Sequence, residues 1–298
     1  MRILVTGRSG QLVSSLREAA AGLAEVELIA LGRPDLDLLK RSSVAARIAA
    51  AKPDLVVNAA AYTAVDRAED EPALAHAINT EGARAVAEAA ARCGAPVIQI
   101  STDYVFRGDK AGDYEEDDPT GPNTIYGLTK CHGERAVIEA NPRHVILRTS
   151  WVYSPFGQNF VRTMLWLAET RDTVRVVADQ WGNPSCALDL AQAILALAPQ
   201  VASGPSGIFH LAGKGSTSWA GLARHVFAAS RTAGGPFAEV EEIGTADFNA
   251  RAPRPANSRL SSVKIEAVYG IRPRPWQQSV DETVARILQE RKFAGEAA

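Results

Sequence analysis

Residues 2–12 read Arg2-Ile3-Leu4-Val5-Thr6-Gly7-Arg8-Ser9-Gly10-Gln11-Leu12, and this stretch decides the fold class. An apolar run followed by a glycine-rich turn and a helical pattern is typical of the first strand–turn–helix unit of a dinucleotide-binding domain. Gly7 permits the tight turn, and Gly10 lets the backbone approach a pyrophosphate at the helix N-terminus. The glycine spacing alone also fits a plain strand–helix turn, so its place directly after a strand carries the prediction.

The rest of the first half alternates short apolar runs with alanine-rich helical stretches. Strands are predicted at Arg2–Thr6, Val26–Leu31, Leu55–Asn58, Val97–Ser101 and Val145–Thr149, and helices at roughly 11–23, 40–51, 71–92 and 124–139. Strands that are buried on both faces need no polar alternation, so this pattern predicts a Rossmann-type α/β fold with a doubly wound parallel sheet. Val13 stands where the glycine pattern has its third glycine, and we expect the first helix to lie slightly off the sheet.

After residue 150 the alternation breaks down. Helices are still predicted near 158–170, 187–198 and 278–291, and strands at Val174–Val177 and Ile208–Ala212. We expect an NAD(P)-binding domain over 1–150 plus about 185–213. The remainder, about 151–184 plus 214–298, is predicted to form a smaller substrate-binding lobe.

Composition excludes several classes of protein. The net charge of −2 and the pI near 6.2 offer no basic surface for nucleic acid or anionic lipid. With no charged leader after Met1 and no apolar stretch of the ~20 residues that a membrane helix needs, we expect a cytoplasmic protein. Three cysteines without CxxC spacing and five scattered histidines predict neither a disulfide framework nor a metal site.

Two arginines bear on the choice of coenzyme. The second strand ends in Leu31-Gly32-Arg33, where an NAD-preferring site would carry Asp or Glu for the ribose 2′-hydroxyl, and Arg8 lies in the glycine loop. Two guanidinium groups there favour a 2′-phosphate, so we predict NADPH. NADH is the alternative if both arginines are merely solvated. Asp37 and Leu38 are predicted beside the adenine.

The third strand ends in a run of small residues, Asn58-Ala59-Ala60-Ala61-Tyr62-Thr63. Ligands of open parallel sheets bind outside the carboxyl ends of the strands. The residues predicted to line the coenzyme therefore include Ala60, Ala61, Tyr62 and Thr63, together with Gly7, Arg8, Gly10, Gln11, Leu12 and Arg33.

Tyr126 and Lys130 are the strongest chemical signal in the chain. Their spacing of four puts both side chains on one face of a helix, one turn apart. An ammonium in that place lowers the pKa of a phenol from its usual value of about 10, so that the phenol can pass a proton to a carbonyl oxygen near neutral pH. The spacing alone is weak evidence, and the preceding Ser101–Phe106 stretch, STDYVF, strengthens it.

Taken together, these motifs resemble one family, the dTDP-4-dehydrorhamnose reductases within the extended short-chain dehydrogenases/reductases. The resemblance runs from residue 1 to about 290. It rests on Thr6–Leu12, Asn58–Asp70 (NAAAYTAVDRAED), Ser101–Phe106, Tyr126–Lys130 with Gly133-Glu134, Arg148–Tyr153 (RTSWVY), Asn159–Val161, Asp179–Pro184 (DQWGNP) and Arg254–Leu260 (RPANSRL).

The resemblance implies roles for particular residues. The implied catalytic set is Thr102, Tyr126 and Lys130. The residues implied to contact a sugar nucleotide are Thr102, Asp103 and Trp151. Trp151 is expected to pack against the sugar or the thymine, and the alternative is that it is a core aromatic residue. The residues implied to line the coenzyme are Gly10–Leu12, Asp37-Leu38 and Ala61–Thr63. Three more sugar or diphosphate contacts, each weighed evenly against a structural role, are Asn159, Gln180 and Arg254.

The implied reaction is reduction of the C4 carbonyl of dTDP-4-dehydro-L-rhamnose by NADPH, which gives dTDP-L-rhamnose. Tyr126 would donate the proton and Thr102 a second hydrogen bond, while Lys130 holds the nicotinamide ribose and stabilises the tyrosinate. Some members of the family dimerise through a magnesium ion bound by carboxylates, one of them on the first helix. Ser14 and Ser15 stand on that helix here, so we expect no such ion, and a homodimer remains an open alternative.

Other functions share parts of the pattern. A sugar-nucleotide dehydratase carries Thr-Asp-Glu where this chain has Thr102-Asp103-Tyr104, so one acid/base group is missing. The regulatory subunit of methionine adenosyltransferase resembles the same family and works by binding a partner, and the intact catalytic set argues against that function. Another dTDP-4-keto-6-deoxysugar reductase would differ only in the stereochemistry of its substrate.

Overall fold

The computed structural model of the chain describes residues 1–296, with side chains through residue 290. Its strands are β1 (Arg2–Thr6), β2 (Glu27–Leu31), β3 (Leu55–Asn58), β4 (Val97–Thr102), β5 (His144–Thr149), β6 (Val152–Tyr153), β7 (Thr173–Val177), β8 (Trp181–Gly182), β9 (Ser185–Cys186), β10 (Gly207–His210), β11 (Thr217–Ser218), β12 (Glu239–Ile243) and β13 (Asn257–Ser258). Its α-helices are α1 (Gln11–Ala20), α2 (Arg41–Ala51), α3 (Val65–Ala68), α4 (Pro72–His76), α5 (Ala83–Arg92), α6 (Ile125–Ala140), α7 (Phe160–Leu167), α8 (Ala187–Val201), α9 (Trp219–Thr232), α10 (Val263–Tyr269) and α11 (Trp276–Glu296).

The central sheet has six parallel strands in the order β10-β5-β4-β3-β1-β2. Every residue of β3 and β5 is buried, as a strand covered by helices on both faces must be. The predicted Rossmann-type parallel sheet is therefore confirmed. β10 joins the sheet from far along the chain and lies beside β5, with Phe209 opposite Leu147.

Alternate residues of the strands enter two apolar cores on opposite faces of the sheet. Val5 and Val57 pack with α1, α8 and α10, whereas Leu4 and Val56 pack with α2 and α5. A third core joins α7, α9 and α11 with β7 and includes Val226. The domain boundaries, 1–150 plus about 185–213 against the remainder, stay a prediction.

The first strand–turn–helix unit is built around Gly7. Its φ of 116° lies in the region that favours glycine, and its amide donates to the Leu31 carbonyl at 2.6 Å. Val13, which replaces the third glycine of the pattern, is buried on α1, and its Cγ2 lies 3.0 Å from the place of a Cβ on Gly7. The missing side chain of Gly7 therefore leaves the space that Val13 fills.

The helix predicted over 71–92 is interrupted. α4 ends at His76, a π-helical turn follows over Ala77–Gly82, and α5 begins after it. In this turn Asn79 accepts a hydrogen bond from the Tyr62 amide at 2.8 Å and donates to the Thr129 hydroxyl at 3.1 Å. The wider turn lets one side chain join the loop after β3 to α6, and helical periodicity in the sequence does not reveal such a contact.

Other element boundaries differ from the prediction by a few residues. α7 begins at Phe160 because the Asn159 side chain caps it, accepting a hydrogen bond from the Arg162 amide at 3.2 Å. β10 ends at His210, before the predicted strand end at Ala212. The last helix extends past both predicted ends, 278 and 291.

Candidate active site

Thr102, Tyr126 and Lys130 come together where β4 ends against α6. Thr102 is the buried last residue of β4, and its hydroxyl lies close enough to the Tyr126 phenol to lower the pKa of that group. Thr124 caps α6 by accepting a hydrogen bond from the Gly127 amide at 3.0 Å, so the start of the helix, and with it Tyr126, is fixed. A Cβ on Gly127 would lie 2.1 Å from the Tyr104 carbonyl oxygen, so only glycine allows this approach. The catalytic roles of the three residues stay predictions.

The interaction expected between Lys130 and Tyr126 is not the one observed. Burial raises the pKa of Tyr126 above 10, and the hydrogen bond with Thr102 offsets this only in part. The Lys130 ammonium donates to the Ile100 carbonyl at 2.6 Å, and burial lowers its pKa to about 8 against the opposing charge of Glu134. The prediction that the phenol pKa falls below its usual value is therefore wrong, because the loss of water around Tyr126 outweighs the favourable effect of a nearby ammonium. Tyr126 is a protonated phenol, as a proton donor must be.

A buried chain of polar groups runs from the glycine loop to Lys130. The Thr6 hydroxyl donates to Asn58 Oδ1 at 2.6 Å, and Asn58 Nδ2 donates to Gln99 Oε1 at 2.7 Å. Gln99 Nε2 donates to the Ile100 carbonyl at 2.8 Å, the same oxygen that accepts from Lys130. The sequence marks Gln99 only as a polar residue inside an apolar strand, which does not suffice to predict it as part of the site.

The glycine loop has the space and the donors that a dinucleotide requires. A Cβ on Gly10 would meet nothing within 4 Å, so the N-terminus of α1 faces open space. Arg8 Nη1 donates to the Arg33 carbonyl at 3.3 Å, and both arginines are exposed. Gly32 lies beneath Arg8, because a Cβ there would be 2.9 Å from Arg8 Cγ. These residues fit a pyrophosphate and a 2′-phosphate.

Other predicted coenzyme residues border this space but also bind neighbouring protein groups. Gln11 Oε1 accepts from the Ser154 hydroxyl at 2.9 Å, and Leu12 packs against the core. The Tyr62 hydroxyl donates to Glu71 at 2.6 Å. Thr63 is exposed at the carboxyl end of β3.

Four more of them lie at the ends of β2 and β3. Ala60 and Ala61 are half-buried, and the Ala60 amide donates to the Thr6 hydroxyl oxygen at 3.1 Å. Asp37 Oδ1 accepts from the Leu39 amide at 3.1 Å. Leu38 packs against the π-helical turn, because a Cβ on Gly82 in that turn would lie 2.9 Å from the Cβ of Leu38. Their coenzyme contacts stay predictions.

Asp103 presents a buried oxygen without a protein partner. Its Oδ1 accepts from the Thr102 hydroxyl at 3.0 Å, whereas its Oδ2 has no hydrogen-bond partner within residues 1–296. Burial raises the pKa of Asp103 to about 6, and hydrogen bonds with Ser258 and Thr102 oppose this. A buried carboxyl oxygen beside the Thr102 hydroxyl is available to a ligand hydroxyl.

Arg254 reaches the same place from the far end of the chain. Its Nη2 donates to Asp66 Oδ2 at 2.6 Å, and its buried Nη1 lacks a partner in the described part of the chain. Arg254 also lies near Tyr104, whose ring meets that of Tyr126 edge-on at 5.5 Å. Arg254 therefore remains a candidate for binding an anionic group.

Asn159 and Gln180 are engaged by the protein itself. Asn159 caps α7 and also donates to the Ser154 carbonyl at 2.8 Å. Gln180 is buried and donates to the Thr245 hydroxyl at 3.1 Å. These contacts favour the structural alternative for both residues.

Trp151 lies just beyond β5 in an aromatic layer. Its indole stacks on Trp219 with a centroid separation of 3.5 Å and an interplanar angle of 8°. A Cβ on Gly182 would be 2.5 Å from the indole Cε2, so the ring lies directly on that backbone. Trp151 is half-buried, and its φ of 49° is rare for a bulky residue. The packing explains its fixed orientation, and the sugar contact stays a prediction.

Within the described residues, no group of three or more His, Cys, Asp or Glu side chains could hold a metal ion. No helix in that part of the chain is long and apolar enough to cross a membrane.

Comparison with known proteins shows the family of the chain. The family model described as RmlD substrate binding domain matches residues 1–289. A dTDP-4-dehydrorhamnose reductase of Sinorhizobium fredii is 49% identical, and the match covers 99% of this chain and 100% of the relative.

Solved structures of dTDP-4-dehydrorhamnose reductases have the same fold as this chain. A dTDP-4-dehydrorhamnose reductase of Clostridium acetobutylicum has a TM-score of 0.91 at 37% identity, over 97% of this chain and 100% of that chain. The dTDP-4-dehydrorhamnose reductase of Bacillus anthracis, in complex with NADP, has a TM-score of 0.90 at 35% identity, over 96% and 99% of the two chains. With sequence and fold matching over the full length of these relatives, the chain belongs to the RmlD substrate binding domain family, that of the dTDP-4-dehydrorhamnose reductases.

Proposed function

We propose that the protein catalyses the NADPH-dependent reduction of the C4 keto group of dTDP-4-dehydro-L-rhamnose, which gives dTDP-L-rhamnose in the last step of dTDP-rhamnose synthesis. One observation carries the proposal: the Tyr126 phenol lies beside the Thr102 hydroxyl at the carboxyl edge of the sheet, one helical turn from Lys130. Relatives of the same family are named for this reaction, and one solved neighbour holds NADP.

The coenzyme, when bound, supplies the hydride. Gly7, Gly10 and the N-terminus of α1 would hold its pyrophosphate, and Arg8 with Arg33 its 2′-phosphate. The rest of the coenzyme would be lined by Ala60–Thr63 together with Asp37 and Leu38. NADH is the alternative coenzyme if the two arginines stay in solvent.

The proton comes from Tyr126. As negative charge grows on the C4 oxygen, the phenol donates its proton and Thr102 supplies a second hydrogen bond. The raised pKa of Tyr126 keeps the phenol protonated until that moment. A Lys130 pKa of about 8 leaves its ammonium charged at neutral pH, where it stabilises the tyrosinate that forms.

The sugar nucleotide would lie across Asp103, Arg254 and Trp151. The unpartnered Asp103 Oδ2 suits a sugar hydroxyl, and the unpartnered Arg254 Nη1 suits the diphosphate. The Trp151 indole would form a wall against the sugar or the thymine.

The cellular setting is part of the proposal. We place the reaction in the cytoplasm, because all three cysteines, Cys93, Cys131 and Cys186, are unpaired, as a reducing compartment keeps them. The substrate lobe would comprise about 151–184 plus 214–298, with the coenzyme on the remainder. A homodimer is an open alternative to a monomer, and light scattering distinguishes the two.

Coupled turnover tests the function. The purified protein receives dTDP-glucose, an upstream dehydratase and epimerase, and either NADPH or NADH, and coenzyme oxidation is followed by absorbance. We expect oxidation that depends on the keto sugar and is faster with NADPH. A protein that binds a partner without turnover, as the regulatory-subunit alternative requires, would oxidise neither. NMR of the product distinguishes dTDP-L-rhamnose from the product of another 4-keto-6-deoxysugar reductase.

A further inference from the structure

A buried ion pair lies directly behind Lys130. The Arg148 guanidinium binds Glu134 through two hydrogen bonds, Nε to Oε1 at 2.9 Å and Nη2 to Oε2 at 2.7 Å. The Ser101 hydroxyl donates to Glu134 Oε1 at 2.5 Å. The side chains of Arg148 and Glu134 are only 2% and 3% exposed, so dissolved salt screens them little.

This pair needs an explanation other than stability. Replacing a buried ion pair by well-packed apolar side chains is often neutral or stabilising, because removing two charges from water offsets their attraction. β5 is apolar from Val145 to Leu147, and Arg148 packs its guanidinium over the Phe106 ring at 4.9 Å. The site is therefore one in which apolar residues would fit.

The carboxylate and the Lys130 ammonium are held by adjacent residues of one strand. Glu134 follows Lys130 by four residues on α6, so the two side chains share a face of the helix with their Cβ atoms about 5–6 Å apart. The Ile100 carbonyl accepts from Lys130 Nζ at 2.6 Å, and Ser101 donates to Glu134. Any shift of Glu134 relative to β4 would therefore also shift Lys130.

The titratable and charged groups around Lys130 come from several elements. Those nearest are Tyr126 and Glu134 on its own helix, Asp103 and Tyr104 after β4, and Arg148 on β5, with Glu116, His210 and Lys264 behind Arg148. His210 is neutral because burial lowers its pKa to about 3. Among them, Glu134 is the group whose charge favours the ammonium form of Lys130.

We propose that Glu134 is a positioning residue for the reduction, whose carboxylate, held by Arg148 and Ser101, keeps the Lys130 ammonium charged and seated on the Ile100 carbonyl. The role rests on the proposed function, because it matters only if Lys130 supports a tyrosinate. Arg148 contributes to this role, because it fixes the Glu134 carboxylate and prevents Glu134 from contacting the Lys130 ammonium directly.

The test measures the titration of Lys130 itself. Lysine labelled with ¹³C at Cε gives one NMR signal for each of the seven lysines, and the signal of Lys130 is the one lost in Lys130→Arg. Glu134→Gln keeps the shape and the acceptor oxygen but removes the charge. We expect the midpoint of the Lys130 titration to fall by about one to two pH units. The pH at which kcat declines on the alkaline side of its profile should fall together with that midpoint.

Glu139→Gln is the matched control. Glu139 lies on the same helix and pairs with Arg84 at 2.8 Å, but its side chain is 64% exposed. Its loss should leave both the Lys130 titration and the pH profile unchanged. A folded Glu134→Gln protein whose Lys130 midpoint and kcat limb match those of the wild type would overturn the proposal and leave a structural role.

A second variant guards against misfolding, because Glu134→Gln leaves Arg148 buried without its partner. The double variant Glu134→Gln/Arg148→Met removes both charges, and we expect a smaller fall of the Lys130 midpoint in the same direction. An unchanged midpoint would again overturn the role. If the wild-type protein shows no keto-sugar turnover, the proposed function fails, while the NMR titration still decides whether Glu134 acts on Lys130.

Discussion

Asp103→Asn is expected to stabilise the protein without substrate and to raise KM for the sugar nucleotide. Burial raises the pKa of Asp103 from 3.8 to about 6. A difference of about 2 pKa units corresponds to about 3 kcal/mol. Asparagine keeps the shape and the acceptor for the Thr102 hydroxyl without a charge to desolvate, but its amide adds an unpartnered donor. The expected gain in the free energy of unfolding is therefore about 1–3 kcal/mol.

The stability that Asp103→Asn gains over the wild type should increase as the pH rises. Between about pH 4 and pH 6 the folded protein keeps a proton on Asp103 that the unfolded chain releases, so the wild type loses stability as the pH rises through this window. Below about pH 4 the carboxyl group is neutral in both states, and the advantage of asparagine disappears. Above about pH 6 the full advantage is present.

Urea unfolding of the wild type and Asp103→Asn at about pH 4.5, 6 and 8 measures this dependence. Asp109→Asn is the control, because the Asp109 side chain is 66% exposed and its loss should change little. KM for the keto sugar nucleotide should rise about 10-fold or more, since a hydrogen bond to a charged group is lost. A stability gain that is equal at every pH, or absent at pH 8, would refute the electrostatic reasoning. An unchanged KM would remove Asp103 from the substrate site.

Four further predictions concern the other parts of the site and the packing around Trp151. Tyr126→Phe should keep the fold and the coenzyme affinity but lower kcat by ~10²–10⁴-fold, and a variant with more than about a third of the wild-type kcat would remove Tyr126 from the acid role. Arg33→Asp should shift the ratio of kcat/KM values from NADPH toward NADH, whereas an unchanged ratio would mean that Arg33 does not contact the 2′-phosphate. Trp151→Ala should raise KM for the keto sugar by roughly 5- to 150-fold with NADPH binding unchanged, whereas a lower melting temperature with an unchanged KM would indicate a core role only. Gly182→Ala should cost about 1–3 kcal/mol through the indole that its Cβ meets, and the cost should vanish in Trp151→Ala; additive costs in this double-mutant cycle would contradict the packing described.

The part of the site that lies close together in the sequence could be predicted. Gly7 and Gly10 act within one turn, and Tyr126 and Lys130 within one helix, so spacing and residue type suffice to place them. The interrupted helix over 71–92 could not be predicted, because the π-helical turn is stabilised by contacts of Asn79 with distant residues, Tyr62 and Thr129.

The sequence by itself determined the parallel sheet, the glycine turn and the helix that carries Tyr126 and Lys130, because apolar periodicity and backbone sterics act locally. Only the tertiary structure decided how those groups behave. In the folded chain Lys130 donates to the Ile100 carbonyl, Glu134 binds Arg148 next to it, and burial raises the pKa of Tyr126. Desolvation and buried ion pairs depend on every element that packs around a group, so no spacing along one helix contains them.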